Sequence, residues 1–337
     1  ILILVLFAPV TSALAEMNPC NSHGDCNVEA GEFCLQNLCR EANDHRVQRL
    51  FSIGISPFYD LTQHDEGEHL SSNAESILRG LLGSTVFFET LPASSSVIEF
   101  GSGSNYKIKK LMDAIDKPIE YIPIDISKEF LFKNAKDSAK DFPDLKIKAI
   151  CADFNQIDAL QKTIGKKKSK IGFFPGSTVG NYSPEDAKKL LINFSRILGN
   201  ESFLVIGVDL KKDIEVLEKA YNDSEGVTAE FNKNILNGVN KICGAIFDST
   251  LFSHKAFFNE KKSRIEMHLV SKKKQVVEIL NTKIYFREGE TIHTENSYKY
   301  TVSSFQNLAE LSNFEIIDVL KDKKSFFGVF IMKVKSI

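Results

Sequence analysis

The sequence predicts an α/β fold: a parallel sheet with helices on both faces, interrupted late in the chain by an α+β insertion. Three observations predict it. Apolar strand-type runs alternate with helical segments from Ser95 to Leu210. That alternation breaks over residues 211–300 and resumes from 301 to 337. The early runs end in glycines and acids, and the carboxyl ends of parallel strands are where such a sheet binds ligands.

Taken in order, residues 46–93 read as helices and loops: a segment over 46–55, a polar acidic link over 63–68, and a helix over 73–82 with Ile77, Leu78, Leu81 and Leu82 on one face. Strands are expected at 95–100, 119–126, 146–152, 170–175 and 202–208, with helices at 106–115, 128–139, 156–163 and 184–197. Right-handed crossovers follow from that order. Residues 211–235 are helical and charged, and an amphipathic helix continues to about Ile246. Then come β-type runs at Arg264–Val270 and Gln275–Leu280 and the segment Ile292–Tyr300. We read 211–300 as an insertion that caps the strand ends and supplies a substrate pocket. The sheet returns with 314–320 and 326–334 around a helix at 302–311.

The chain is organised around Val97-Ile98-Glu99-Phe100-Gly101-Ser102-Gly103-Ser104-Asn105. This is a strand, a glycine turn and a helix start, where backbone can approach a ligand closely and unpaired N–H groups face it. A dinucleotide fingerprint needs a third glycine where this chain has Tyr106. A pyrophosphate is therefore disfavoured, and S-adenosylmethionine is the cofactor that fits two glycines with an acid before them; an ordinary structural turn is the alternative. Asp125 ends the second strand 24 residues after Gly101, where a carboxylate would bind a ribose hydroxyl. Asp153-Phe154 ends the third, pairing an acceptor for an adenine amino group with a ring that can stack on it. The fourth runs into Gly176-Ser177-Thr178-Val179-Gly180-Asn181. Each acid alone also suits a helix N-cap.

Composition excludes some partners. A net charge of −2 leaves no electrostatic footprint for nucleic acid, and no exposed heptad or long apolar edge argues against a monomer. Residues 1–15 are largely apolar and end in Ala13-Leu14-Ala15, which reads as a secretory leader too short for a stable membrane span. Cys20, Cys26, Cys34 and Cys39 follow, spaced for two disulfides, with zinc as the rival. Cys151 and Cys243 read as buried structural thiols.

Glu99-Phe100-Gly101-Ser102-Gly103 with Lys107, Gly176–Asn181, Gly207-Val208-Asp209-Leu210, Ala220-Tyr221-Asn222-Asp223 with Gly226–Ala229 and Phe231-Asn232, Ile265-Glu266-Met267, and Thr294-Glu295-Asn296-Ser297 resemble, in order, the motifs of the histidine Nα-methyltransferase family over roughly residues 75–337. The resemblance implies a Rossmann-like class I methyltransferase sheet with an inserted α+β substrate-binding domain, S-adenosylmethionine as cofactor, and an amino acid as substrate. It implies that Gly101, Lys107, Asp125, Asp153 and Phe154 form the cofactor site, with Gly176 on the wall between cofactor and substrate. It implies that Asn181 and Tyr221 hold the amino and carboxylate groups at the reacting centre, and that Met267, Glu295 and Ser297 form the side-chain pocket. Glu295 with Ser297 on an extended segment suits the two nitrogens of an imidazole. The family's Tyr-Tyr-Pro-Thr-Arg stretch is replaced here by Glu68-His69-Leu70-Ser71-Ser72-Asn73, where His69 or Tyr59 would have to stand in.

Overall fold

A computed structural model describes residues 32–35, 38–41 and 94–336, the last without 103–104, 113–114, 116–117, 155–156, 166–168 and 280–281. The leader, most of the cysteine-rich segment and the region 46–93, with Tyr59 and His69, lie outside these residues. Within the cysteine-rich segment β1 (Glu32–Leu35) and β2 (Leu38–Glu41) pair antiparallel, with Cys34 opposite Cys39 in the register. From residue 94 on, the chain forms two compact units, one of them Asp213–Ser297.

The other unit holds an eight-stranded sheet. In chain order its elements are β3 (Ser96–Phe100), α1 (Asn105–Met112), β4 (Glu120–Asp125), α2 (Lys128–Asp141), β5 (Lys146–Ile147), β6 (Ile150–Cys151), α3 (Ile157–Ile164), β7 (Lys170–Phe174), α4 (Pro184–Leu198) and β8 (Phe203–Asp209). After the second unit come α7 (Val302–Glu310), β14 (Phe314–Lys321) and β15 (Phe327–Val334). The strand order is β14-β15-β8-β7-β3-β4-β5, with β6 also paired to β4. Pairings from β8 to β5 and β6 are parallel, while β15 runs antiparallel to both β8 and β14. This is a Rossmann-like sheet, with one reversed strand inserted next to β8. The single strand expected over 146–152 divides into β5 and β6, each pairing with β4 for two residues.

Helices cover both faces, so the central strands read as unbroken apolar runs rather than alternating ones. All five residues of β3 are buried. Ile98 and Phe100 join a cluster with Leu160, Leu190, Leu191 and Phe194 of the helices and Phe305 of α7, while Val97 packs with Ile108, Leu111 and Met112 of α1. Helix α4 begins where Ser183 Oγ accepts from Asp186 N at 3.2 Å and Pro184 occupies the first turn; it ends at Gly199, with φ +80°. Both ends are thereby fixed by residue chemistry.

Gly207 in β8 is required by close approach. A Cβ there would lie 2.0 Å from the carbonyl oxygen of Pro175, which is backbone and cannot step aside. Gly207→Ala is expected to lower stability by roughly 2–3 kcal/mol and to shift the urea midpoint at unchanged slope. A midpoint equal to that of the parent would show that the Pro175 segment yields freely.

The second unit holds α5 (Ile214–Tyr221), α6 (Val227–Cys243), the antiparallel sheet β13-β10-β9 and a β11–β12 hairpin. The strands are β9 (Phe252–Asn259), β10 (Arg264–Ser271), β11 (Gln275–Ile279), β12 (Thr282–Phe286) and β13 (Thr291–Tyr298). Strands β9 and β12 escaped the sequence reading. In β9 the polar pair His254-Lys255 interrupts the apolar alternation, and the strand exists because eight residues register against β10. Among the described residues no helix is long and apolar enough to cross a membrane.

Candidate active site

The glycine turn after β3 is tight. Gly101 has φ +78°, and the N–H groups of Gly101 and Ser102 both donate to Ile124 O, at 2.8 and 3.2 Å. Beneath the turn lies Glu99, 3% exposed, which accepts a short hydrogen bond from the Tyr121 hydroxyl; that hydroxyl lies 3.5 Å from Ser102 Oγ. Burial pushes the Glu99 carboxyl up to about 7 despite these hydrogen bonds and the Lys107 charge. The same burial, reinforced by Glu99, holds the Tyr121 phenol well above its ordinary value. The floor of the turn is thus a buried pair in which the phenol keeps its proton and the Glu99 carboxyl gains or loses its own near neutrality.

Asp125 ends β4, buried, with Oδ1 accepting from Ser127 N at 2.7 Å. Burial raises its carboxyl against the Ser127 and Ile126 N–H groups. Its backbone pairs with Cys151, so β6 delivers Asp153 and Phe154 beyond the adjacent strand end. Phe154 is half-buried and packs edge-on against Phe100, Phe174 and Phe194 at centroid distances of 6.4, 6.4 and 5.8 Å. Asp153 is half-buried and close enough to Tyr182 that, after burial, its charge helps raise that phenol to about 12.

After β7 the chain turns through Ser177, which has φ +57°, into a single 3₁₀ turn, Thr178–Asn181. Ser177 Oγ accepts from Asp209 N at 2.8 Å, which ties this turn to the end of β8. Asn181 is half-buried at the end of the 3₁₀ turn. Asp209, 5% exposed, receives Lys212 Nζ at 2.6 Å and Lys299 Nζ at 2.7 Å, both ammonium groups being buried. Burial alone would raise the Asp209 carboxyl, but Lys299 and Lys212 outweigh it and hold it below the usual range.

In the second unit Tyr221, at the last position of α5, donates its hydroxyl to Ser297 Oγ at 2.8 Å. Its ring packs on a cluster of Leu217, Ala256, Phe258, Ile265 and Met267. The Met267 carbonyl accepts from Thr294 Oγ1 at 2.9 Å, which joins β10 to β13. Tyr221, Met267 and Ser297 therefore come together as a polar pair on an apolar wall. Along β13, Thr294 and Ser297 are buried, and Glu295 and Asn296 between them are half-buried. Glu295 is half-buried, with Oε2 shielded from solvent.

Two residues the sequence reading assigned no role, Asn232 and His254, hold the Tyr221 backbone in place. Asn232 is fully buried, and its Nδ2 bonds to the His268 carbonyl at 3.2 Å and to His254 Nδ1 at 2.9 Å. An amide nitrogen only donates, so Nδ1 accepts, the proton sits on Nε2, and Nε2 donates to Tyr221 O at 2.8 Å. Burial lowers the His254 pKa, which agrees with this neutral tautomer. Next to it, Asn222 reads both backbone groups of Ala256, and Asp223 caps α6 through Val227 N and Thr228 N at 2.6 and 2.8 Å. Much of the Tyr221–Asp223 motif therefore serves to seat α5 and α6 against β9.

Gly101, Asp125, Asp153 and Phe154 all follow the carboxyl ends of β3, β4 and β6, where an open parallel sheet takes its ligand. A left-handed glycine with its N–H groups turned back on β4, a buried carboxylate and a half-buried ring fit a nucleoside-bearing cofactor. Comparison with known proteins agrees. The family described as "Histidine-specific methyltransferase, SAM-dependent" matches residues 48–334. The chain is 34% identical over 212 residues to a histidine N-alpha-methyltransferase of Mycolicibacterium smegmatis, covering 61% of this chain and 65% of that one. It is 24% identical over 246 residues to ergothioneine biosynthesis protein 1 of Schizosaccharomyces pombe, covering 71% of this chain and 32% of that one. The chain thus spans just under two thirds of the bacterial relative and about a third of the fungal one. A solved S-adenosylmethionine-dependent methyltransferase from Clostridium acetobutylicum aligns at TM-score 0.46 and 11% identity, over 82% of this chain and 99% of that one. The sheet is that of a class I methyltransferase, S-adenosylmethionine is its cofactor, and the chain belongs to the histidine-specific, S-adenosylmethionine-dependent methyltransferase family.

Proposed function

We propose that this enzyme methylates the α-amino group of L-histidine. The observation that carries the proposal is the Tyr221 hydroxyl on Ser297 Oγ at 2.8 Å beside Met267. An imidazole is an apolar ring with two polar nitrogens, and an apolar wall bearing a hydroxyl pair, with the Glu295 carboxylate two residues before Ser297, supplies partners for both. Relatives carrying the histidine N-alpha-methyltransferase name support the same substrate.

When bound, S-adenosylmethionine supplies an electrophilic methyl carbon on a sulfonium. The protein's part is positional. Gly101, Lys107, Asp125, Asp153 and Phe154 are assigned to the cofactor; Asn181 and Tyr221 are assigned to the amino and carboxylate groups. In-line displacement needs the neutral amine nitrogen within about 3–3.5 Å of the methyl carbon with water excluded. With the cofactor bound, the amine nitrogen would take the methyl group, the electron pair of the broken C–S bond would stay on sulfur, and the amine proton would leave to solvent.

Gly176 provides a sharp test. It is not left-handed, and a Cβ there would meet nothing nearer than Thr178 Oγ1 at 3.4 Å, an ordinary contact. The fold therefore does not demand glycine. Gly176→Ala is expected to keep the parental melting temperature while losing at least about a hundredfold in turnover, because an added methyl displaces reacting groups. The assay is mass spectrometry of histidine incubated with S-adenosylmethionine, in which the parent adds methyl groups one at a time. A fully active Gly176→Ala would remove Gly176 from the site, and methylation of another amino acid in a mixed panel with histidine untouched would change the substrate.

A further inference from the structure

A second set of reactive side chains lies on the same strands. Glu266 and His268 flank Met267 on β10, so both project from the face opposite it. His293 of β13 comes alongside, its ring stacked on His268 at 4.5 Å between centroids, and His268 in turn stacks on Phe257 at 5.3 Å. One ligand atom from each of Glu266, His268 and His293 lies within 4.8 Å of the other two. Neither the fold nor methyl transfer calls for two imidazoles and a carboxylate gathered there.

The carboxylate is held in one orientation. Glu266 Oε1 accepts from Arg264 Nε at 2.8 Å, Arg264 Nη2 at 2.6 Å and Asn259 Nδ2 at 3.0 Å. That leaves Oε2 on the imidazole side, 3.3 Å from His268 Nε2. A spacing of 3.3 Å is the edge of a tetrahedron whose centre lies about 2.0 Å from each corner, the bond length of zinc to imidazole and carboxylate. His293 Nε2 lies 3.2 Å from Glu295 O, and a backbone carbonyl that holds one ring N–H leaves the other nitrogen its lone pair. Charge decides the class of ion. Arg264 already balances Glu266, so calcium or magnesium, which depend on several anionic oxygens, gain little, whereas ions that favour imidazole do not need them.

We propose that Glu266, His268 and His293 bind a divalent transition-metal ion of the zinc class, with a fourth position open to water. Lone pairs lie in the ring planes and the rings are 9° from parallel, so coordination turns at least one imidazole about Cβ–Cγ and opens the stack. The bound ion clamps β10 to β13, the strands that carry Met267 and Glu295. The test is titration of the full chain with Co²⁺, read by its visible d–d absorption and then displaced by Zn²⁺. It is run on the parent, His268→Phe and His293→Phe, since phenylalanine keeps the aromatic stack while removing a ligand. The expected result is one equivalent bound through nitrogen and oxygen, displaced by Zn²⁺, and at least tenfold weaker in both variants. Equal affinity in parent and variants, a thiolate charge-transfer band showing capture by the N-terminal cysteines alone, or no saturable binding would each overturn it. Methyl transfer is not the readout, so failure here leaves the histidine reading standing, and failure of that reading leaves the metal site standing.

Discussion

Asp209→Ala is expected to cost roughly 3–5 kcal/mol, the range for removing one partner from a buried charge set. The carboxylate is 5% exposed and is the counter-charge to two buried ammonium groups, at 2.6 and 2.7 Å. Removing it leaves two like charges in a site that already carries a net positive charge. The backbone at the same position raises the stakes. Asp209 N donates to Ser177 Oγ and Asp209 O accepts from Tyr300 N at 3.3 Å; Leu210 N donates to Phe326 O at 3.0 Å. Lys212→Met is the control: it leaves a balanced Asp209–Lys299 pair and is expected to cost far less. Urea unfolding of the two variants decides the matter, and an Asp209→Ala midpoint no lower than that of Lys212→Met would sink the argument. Because its folded pKa is depressed, Asp209 contributes stability above its unfolded pKa. That contribution is lost as pH falls through the folded value.

The Asp209 cluster shows what a sequence displays and what it hides. The run Gly207–Leu210 was readable at the end of an apolar strand run as one of the motifs that resemble the family's. That Lys299 is a partner was not readable: the two residues are separated by the whole second unit, and a lysine in a polar segment carries no mark of burial. The central sheet was legible for the opposite reason. Strands buried on both faces are nearly pure apolar runs, so β3, β4, β7 and β8 lie within a residue or two of their expected limits. β9 and β12 are half-exposed strands of a small antiparallel sheet and a hairpin, where polar residues are permitted and the pattern weakens.

The site divides along the same line. Residues whose role follows from backbone geometry, Gly101 above all with its φ of +78°, were legible as a turn. Gly207 was quoted within a motif, yet the need for glycine there comes from a carbonyl oxygen 32 residues earlier, at Pro175, and only the folded chain shows it. The Asn232–His254–Tyr221 chain was likewise invisible. Asparagine and histidine are common residues, and their meaning here arises from two nitrogens and a carbonyl brought to hydrogen-bond distance from α5, α6 and β9.

Glu99→Gln is expected to leave stability almost unchanged near pH 5 and to raise it by up to about 3 kcal/mol at pH 8. The carboxyl is 3% exposed and titrates at about 7 in the folded chain, against 4.5 when solvated. Between those values the folded state binds the extra proton. Stability is therefore fully present below the lower value and drains away as pH rises through the upper one. A shift of that size corresponds to a loss on the order of 3 kcal/mol. Glutamine has the same shape, accepts the Tyr121 hydroxyl through its carbonyl oxygen and does not titrate, so the variant escapes the loss. Urea unfolding of parent and variant at the two pH values measures it; a difference that is the same at both would show that Glu99 does not change charge in this range. The result also bears on methyl transfer. Near neutrality the floor of the glycine turn passes from neutral to anionic beside the buried carboxylate of Asp125, whose charge already opposes ionisation of Glu99. Cofactor affinity in the parent is then expected to depend on pH around 7 through a residue that lies under the turn, and in Glu99→Gln that dependence disappears.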